Sequence, residues 1–315
     1  MLGRCATAHG WHHGNTMTVT ARGTSGDFDL DVQLDRADLL PGRLVGGTLR
    51  ITARDDGEIR GARVTLVGTQ RWRYDSVRTD SEGHTHQEIK TAEEDLPAVP
   101  IAVLGSTRFA RGESREVPFQ LPVPALGPPS FDATEFRLDW HVRVNLDVPG
   151  FDPILEMPVR VHQPTALLRA GVVPVAEFAL YPEADAEADG FEGSVLLDPS
   201  PLCVGAPFTG RITLTAAPPR KIQEIRLELR VKVEATVGNG REETITLWSG
   251  IAAGPGEFGG PQTMTFKSEL PARWLPTIHT ERGRATAQFH VIVATAFSRD
   301  PHLVRDVTIC STTEL

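Results

Sequence analysis

The sequence predicts an all-β chain built from two similar sandwich domains. Three observations carry that expectation: runs in which apolar and polar residues alternate, turn-forming clusters between the runs, and a stretch that aligns with a later part of the same chain. Alternation with a period of two marks a strand with one buried face.

The clearest run is Phe136, Leu138, Trp140, Val142, Val144, Leu146 and Val148, followed by Ile225, Leu227, Leu229, Val231, Val233, Ala235 and Val237. Shorter runs are Phe28-Leu30-Val32-Leu34, Val64-Leu66, Leu155-Met157-Val159-Val161, Phe208 to Ala216, and Phe289-Val291-Val293. Between them lie clusters such as Asp55-Asp56-Gly57 and Gly238-Asn239-Gly240, whose residues favour turns. No segment shows an amphipathic helical period. Many strands, regular turns and no helix together point to sandwiches or barrels.

The repeat points to a duplicated domain. One constant offset lays Gly42 on Gly205, Gly47 on Gly210, and Leu49, Ile51 and Ala53 on Ile212, Leu214 and Ala216. The same offset lays Ile59 on Ile222, Arg63 on Arg226, Val64 on Leu227 and Leu66 on Leu229. Further on, Phe119-Gln120-Leu121-Pro122 before one long strand is echoed by Phe266 and Leu270-Pro271 before another. The expected organisation is a disordered leader over 1–26, a sandwich over 27–162, a linker over 163–190 and a second sandwich over 191–315. Within the linker, Leu167 to Leu180 is apolar enough to dock as a strand or short helix. Glu183 to Asp189 is acidic and reads as a solvated loop, with a cation site as the alternative. Either Met1 or Met17 can start the chain.

The 315 residues fit two domains, and 40% hydrophobic with 23% charged residues is ordinary for a chain that buries a core. A net charge of −9 repels phosphate backbones and acidic membrane surfaces, which argues against nucleic-acid binding. No apolar run approaches the ~20 residues that span a bilayer. Cys5, Cys203 and Cys310 are odd in number and far apart, which suits a reducing, cytoplasmic setting better than a disulfide framework. Cys203 and Cys310 read as small buried hydrophobes.

The order of several short motifs resembles the arrestin-like superfamily. The turn Pro41-Gly42-Arg43-Leu44-Val45-Gly46-Gly47, the segment Ile59 to Val64, and Gly112 to Pro122 followed by Pro128-Pro129-Ser130 are similar to the amino-terminal arrestin domain. The turn opening at Val204-Gly205 is similar to the start of the carboxy-terminal one. The likeness covers nearly the whole chain after residue 27 and is nearest to the bacterial sporulation-control arrestin-like proteins. It implies two immunoglobulin-like, arrestin-type sandwiches serving as a protein-binding scaffold in stress or sporulation-type regulation. The chain lacks the Pro-Pro-x-Tyr motifs by which some eukaryotic relatives recruit ubiquitin ligases, and recognition of phosphorylated receptors is not carried over.

Catalytic signals are sparse. Gly254-Pro255-Gly256-Glu257-Phe258-Gly259 fits the dinucleotide pattern formally, but no helix follows to hold a pyrophosphate, so it reads as a hairpin loop. His84 and His86 are spaced as a metal pair on one strand face, with Glu88 the one local third ligand, yet they sit in a polar loop. Glu93-Glu94-Asp95 reads as a solvated loop, because neighbouring strand residues point to opposite faces and make a poor acid–base pair. No nucleophile elbow, phosphate-binding loop or His-Glu-x-x-His motif occurs. The expectation is a non-enzyme without cofactors.

The candidate protein-binding residues are Arg63, Arg71 and Arg73, with Arg226, Arg230 and Lys232 at equivalent places in the second domain. If Val64, Leu66 and Trp72 face the core, these cations face outward, forming either a basic stripe for an acidic partner or an ordinary solvated face. Trp72 and Tyr74 read as core anchors. The rival functional reading is a carbohydrate- or small-ligand-binding module, which requires an exposed aromatic platform.

Overall fold

The computed structural model describes residues 19–25, 27–79, 81–150, 152, 154–166, 183–188, 190–296 and 300–312. Most of the expected leader, with Cys5, and the apolar segment Leu167 to Leu180 lie outside the described residues. In chain order the strands are β1 (Val19–Ser25), β2 (Phe28–Leu34), β3 (Asp38–Leu39), β4 (Leu44–Ala53), β5 (Gly57–Ile59), β6 (Gly61–Thr79) and β7 (Thr85–Asp95). There follow β8 (Ile101–Leu104), β9 (Thr107–Phe109), β10 (Ser114–Pro122), β11 (Phe131–Asp132), β12 (Phe136–Asp147) and β13 (Ile154–Val161). The next are β14 (Glu183–Ala188), β15 (Phe191–Asp198), β16 (Leu202–Cys203), β17 (Pro207–Ala216), β18 (Arg220–Ile222), β19 (Glu224–Ala235) and β20 (Glu242–Ala253). The last are β21 (Gly256–Phe258), β22 (Gln262–Glu269), β23 (Ile278–His279), β24 (Gly283–Ala294), β25 (His302–Val307) and β26 (Ile309–Cys310). Among the described residues helix is confined to Thr165 and Ala166, and the class is all-β.

The strands form one sheet in the order β1-β2-β4-β10 and another in the order β3-β13-β12-β6-β7, to which β8 and β11 attach. Two further sheets run β14-β15-β17-β22 and β20-β19-β24-β23, with β25 on β24. By contact the chain forms two compact units. One holds residues up to Gln70 with Glu93–Ser130 and Leu138–His162, and the other holds Arg71–Ala92, Phe131–Arg137 and Gln163–Leu315.

The alternation read in the sequence is the alternation of burial. Every second residue of β12 from Phe136 to Leu146, and of β19 from Ile225 to Ala235, is buried. Each such Val, Leu, Ile or Phe contributes roughly 1.5–3 kcal/mol by leaving water. In the second unit the core centres on an aromatic stack. Phe266 lies face to face with Trp248 (5.6 Å) and Phe289 (5.8 Å), and Phe208 meets Trp248 edge-on at 5.4 Å.

The repeat extends to backbone hydrogen bonds. Gly42 N donates to Val123 O at 3.0 Å, as Gly205 N does to Leu270 O at 3.0 Å. Arg43 N donates to Leu40 O and Ala206 N to Cys203 O, closing the same turn. Both glycines have positive φ, +75° and +69°. The short parallel pairing of β3 with β13 recurs as β16 with β26, and β5 with β9 recurs as β18 with β21. Gly42→Val and Gly205→Val should each cost about 1–3 kcal/mol, the price of a β-branched residue in the left-handed region. Urea denaturation of each variant checks this, and a loss below about 0.5 kcal/mol would show that the turns tolerate a side chain.

The two edge strands β1 and β14 depart from the sequence expectation. Val19–Ser25, assigned to the leader, pairs with β2 from end to end. Most of the acidic stretch, expected as a solvated loop, pairs with β15 as β14. Both stretches alternate, but their apolar positions hold mostly Ala or Gly, which signal a buried face weakly, and an edge strand is held by its ladder and a tight turn more than by its side chains. Only two residues separate Ala188 from Phe191, and the second, Gly190, has φ +79°, as a tight hairpin turn requires.

Candidate functional site

The proposed basic stripe does not survive as a continuous cationic face. Arg63 and Arg71 are exposed, but Val67 and Thr69, on the same face of β6, are 3% and 7% exposed and interrupt it. Arg73 is half-buried and bonds Glu135 at 3.2 Å. On β19 the cations are neutralised by glutamates on the same face. Arg226 bonds Glu224 (3.1 Å) and Glu228 (2.8 Å), Arg230 bonds Glu228 (2.6 Å), and Lys232 bonds Glu234 and Glu242 at 2.5 and 2.9 Å. Residues two apart on a strand share a face, so alternating signs along β19 pair with each other.

Arg73 belongs to a buried ionic cluster that sequence reasoning missed. Glu135, with a side chain 7% exposed, accepts from Arg73 and from Arg241 Nε at 3.2 Å each. Arg241 Nη1 also donates to Asp75 at 2.8 Å, and Glu243 accepts the backbone N–H groups of Thr134 (2.6 Å) and Glu135 (2.9 Å). The bridge between Tyr74 and Gly240 and the bond from Arg241 N to Arg73 O hold these side chains together. A half-buried Tyr74 serves here as backbone partner rather than core anchor, whereas Trp72 is buried, with Arg282 over its ring at 5.5 Å. Charge reversal at Arg73 would set a carboxylate against Glu135, so Arg73 is part of the framework.

The other sequence candidates fall elsewhere. His86 lies in β7 with His84 just before it, both exposed, and among the described residues no three His, Cys, Asp or Glu side chains are grouped to hold a metal. Glu93, Glu94 and Asp95 end β7 instead of forming a loop. Asp95 accepts from Thr69 Oγ1 (2.6 Å) and Arg143 (3.2 Å), and these bonds hold its carboxyl below the usual range against the opposing effect of burial. Gly256 to Phe258, expected in a hairpin loop, forms β21 and pairs with β18, because Ile222 and Phe258 both have buried faces to satisfy. Cys203 and Cys310 are buried register partners, and burial pushes the Cys203 thiol up. Among the described residues no helix is long and apolar enough to cross a membrane.

The His290 imidazole, 8% exposed and opposite Glu228, is held down to about 4, by burial first and then by Arg230 and His302. Unfolded it titrates near 6.5, so the unfolded chain takes up the proton first and stability is lost as pH falls from 6.5 toward 4. The urea midpoint should drop across that window, and less steeply in His290→Gln. Identical slopes for both proteins would exclude His290 as the source.

The surface best arranged to receive another chain is the outer edge of β22. This strand pairs with β17 over eight consecutive residues without a bulge, and among the described residues no strand lies beyond it in its sheet. Leu270 turns its C=O to Gly205 N and its N–H to Ala206 O. By alternation Ser268, Phe266, Met264 and Gln262 face β17, while Glu269, Lys267, Thr265 and Thr263 direct N–H and C=O outward. The outward face beside this edge holds a depression of about 520 Å³ lined by Leu196, Asp198, Thr209, Arg211, Thr265 and Lys267. Among the described residues neither Arg211 nor Lys267 makes an ion pair, and Thr213 and Thr263 hydroxyls meet at 3.2 Å across the strands.

A scan against protein-family models and a search of curated proteins return no match for this chain.

Proposed function

We propose that the chain is a non-enzymatic, arrestin-like scaffold or adaptor that binds other proteins by adding an extended segment of the partner to a sheet edge. The observation that carries this reading is the regular, unbulged edge of β22, whose outward N–H and C=O groups offer a ladder for another strand. Long open edges are a hazard that proteins ordinarily blunt with proline or bulges. Two other edges are blunted in this way: β10 carries Pro118 and Pro122, and β20 is bulged at two register shifts against β19. A carbohydrate platform finds less support, since Trp72, Trp140, Phe208 and Phe289 are buried. A cytoplasmic place in bacterial stress or sporulation-type regulation goes with the family likeness.

Affinity capture of the tagged protein from its native cells under mild crosslinking tests the reading. Recurrent protein partners are the expected result. A capture empty of proteins, repeated under several growth conditions, would overturn it.

A further inference from the structure

We infer that the β22 edge selects an extended segment rich in acidic residues, an inference that rests on the adaptor reading and names its site and partner chemistry. An added strand would lie about 4.8 Å beyond β22 and place alternate side chains on the same outward face as Thr265 and Lys267. Lys267 would be the direct cross-strand neighbour of those side chains. Arg211 sits one strand further in, opposite Thr265, about 10 Å from the added strand and within reach of a long guanidinium side chain.

The other charges on this face fix where acids are favoured. Asp198 shares the row of Lys267 and Thr209 but lies two strands inward, on β15, so the cations are nearer the edge than the carboxylate. Glu269 is exposed at the end of β22 and disfavours an acid beside it, which registers the acidic positions on Thr265 and Lys267. The open edge of β7 has the opposite character, with Glu88, Glu93, Glu94 and Asp95 along it. On a chain with net charge −9, two cations without ion-pair partners beside an open ladder are a local reversal of sign.

The test uses the full chain and a fluorescein-labelled octapeptide alternating Glu and Val, followed by anisotropy, with an octapeptide alternating Lys and Val as comparator. The acidic peptide should bind, more weakly as salt is raised, and slow amide exchange at Thr263, Thr265 and Lys267. Thr265→Pro removes an outward N–H without touching the ladder to β17, and should weaken binding at least tenfold. Arg211→Glu with Lys267→Glu should do the same and let the Lys–Val peptide bind. Thermal unfolding of both variants within a few degrees of the parent shows that the fold is kept. Equal binding of the two peptides, no binding of the acidic one, or binding untouched by both variants would overturn the inference. So would sedimentation showing a dimer whose β22 amides are already protected by a second copy. If the peptide fails while crosslinked partners persist on Thr265→Pro protein, the edge assignment falls and the adaptor reading stands.

Discussion

Gly210→Val should be strongly destabilising in the second unit, with a loss of about 3 kcal/mol or more. A Cβ at this position runs into the Phe266 ring, which crosses over Gly210 to pack against both Trp248 and Phe289. The ring cannot step aside without breaking both stacks, and overpacking a filled core costs roughly 1–3 kcal/mol before lost aromatic contacts are added. Combining Gly210→Val with Phe266→Ala should therefore cost less than the sum of the two single changes. The equivalent Gly47 gives a different outcome. There the added atom would sit 2.5 Å from Phe119 Cζ and 2.8 Å from Leu34 Cδ2, but also 2.8 Å from the carbonyl oxygen of Gln33. A backbone atom does not yield, so Phe119→Ala should rescue Gly47→Val much less. Double-mutant cycles in urea measure both, and additive losses at Gly210 would show that the ring is not what excludes the side chain.

The second large effect is expected at Glu135. Its carboxylate is nearly fully buried between two arginines that are about a third exposed. Replacing it with leucine leaves Arg73 and Arg241 facing each other without their shared counter-charge. Breaking a buried pair by removing one partner costs roughly 3–5 kcal/mol, and the partial exposure of the arginines reduces that to about 2–4. Adding Arg241→Met to Glu135→Leu should recover part of the loss, since the orphaned charge goes with it. If Glu135→Leu is neutral, the cluster contributes specificity of arrangement and no net stability.

The long central strands were legible because their burial alternates strictly, as β12 and β19 show. The Gly42 and Gly205 turns were legible because they recur at one offset. The edge strands β1 and β14 were not, since the apolar positions of VTARGTS and EADAEA are mostly Ala or Gly and signal a buried face weakly, although Asp189-Gly190 is a hairpin-forming pair that marks the second of them. The candidate site was legible only in part. Alternation correctly turned Arg226, Arg230 and Lys232 outward, but it carries no information about which glutamates meet them. Asp75, Glu135 and Arg241 are brought together from distant parts of the chain by strand pairing, so no local pattern foretells the cluster. The same holds for Arg211 and Lys267, whose neighbourhood depends on the β17–β22 register.

The membership of the second unit has a consequence for synthesis on the ribosome. Arg71–Ala92 and Phe131–Arg137 belong to a unit whose remaining residues run from Gln163 to Leu315. Translation proceeds at ~5–20 residues per second, so these two segments emerge and then wait on the order of ten seconds or more for the rest of their unit. During that interval Glu135 and Phe136 have no Arg241 or Gly283 to meet. The β6–β7 arm meanwhile carries Val77 and Ile89, which stay 62% and 49% exposed even in the finished protein. The first unit has all its residues once His162 has emerged, while the segment Arg71–Ala92 must wait for partners that leave the exit tunnel later.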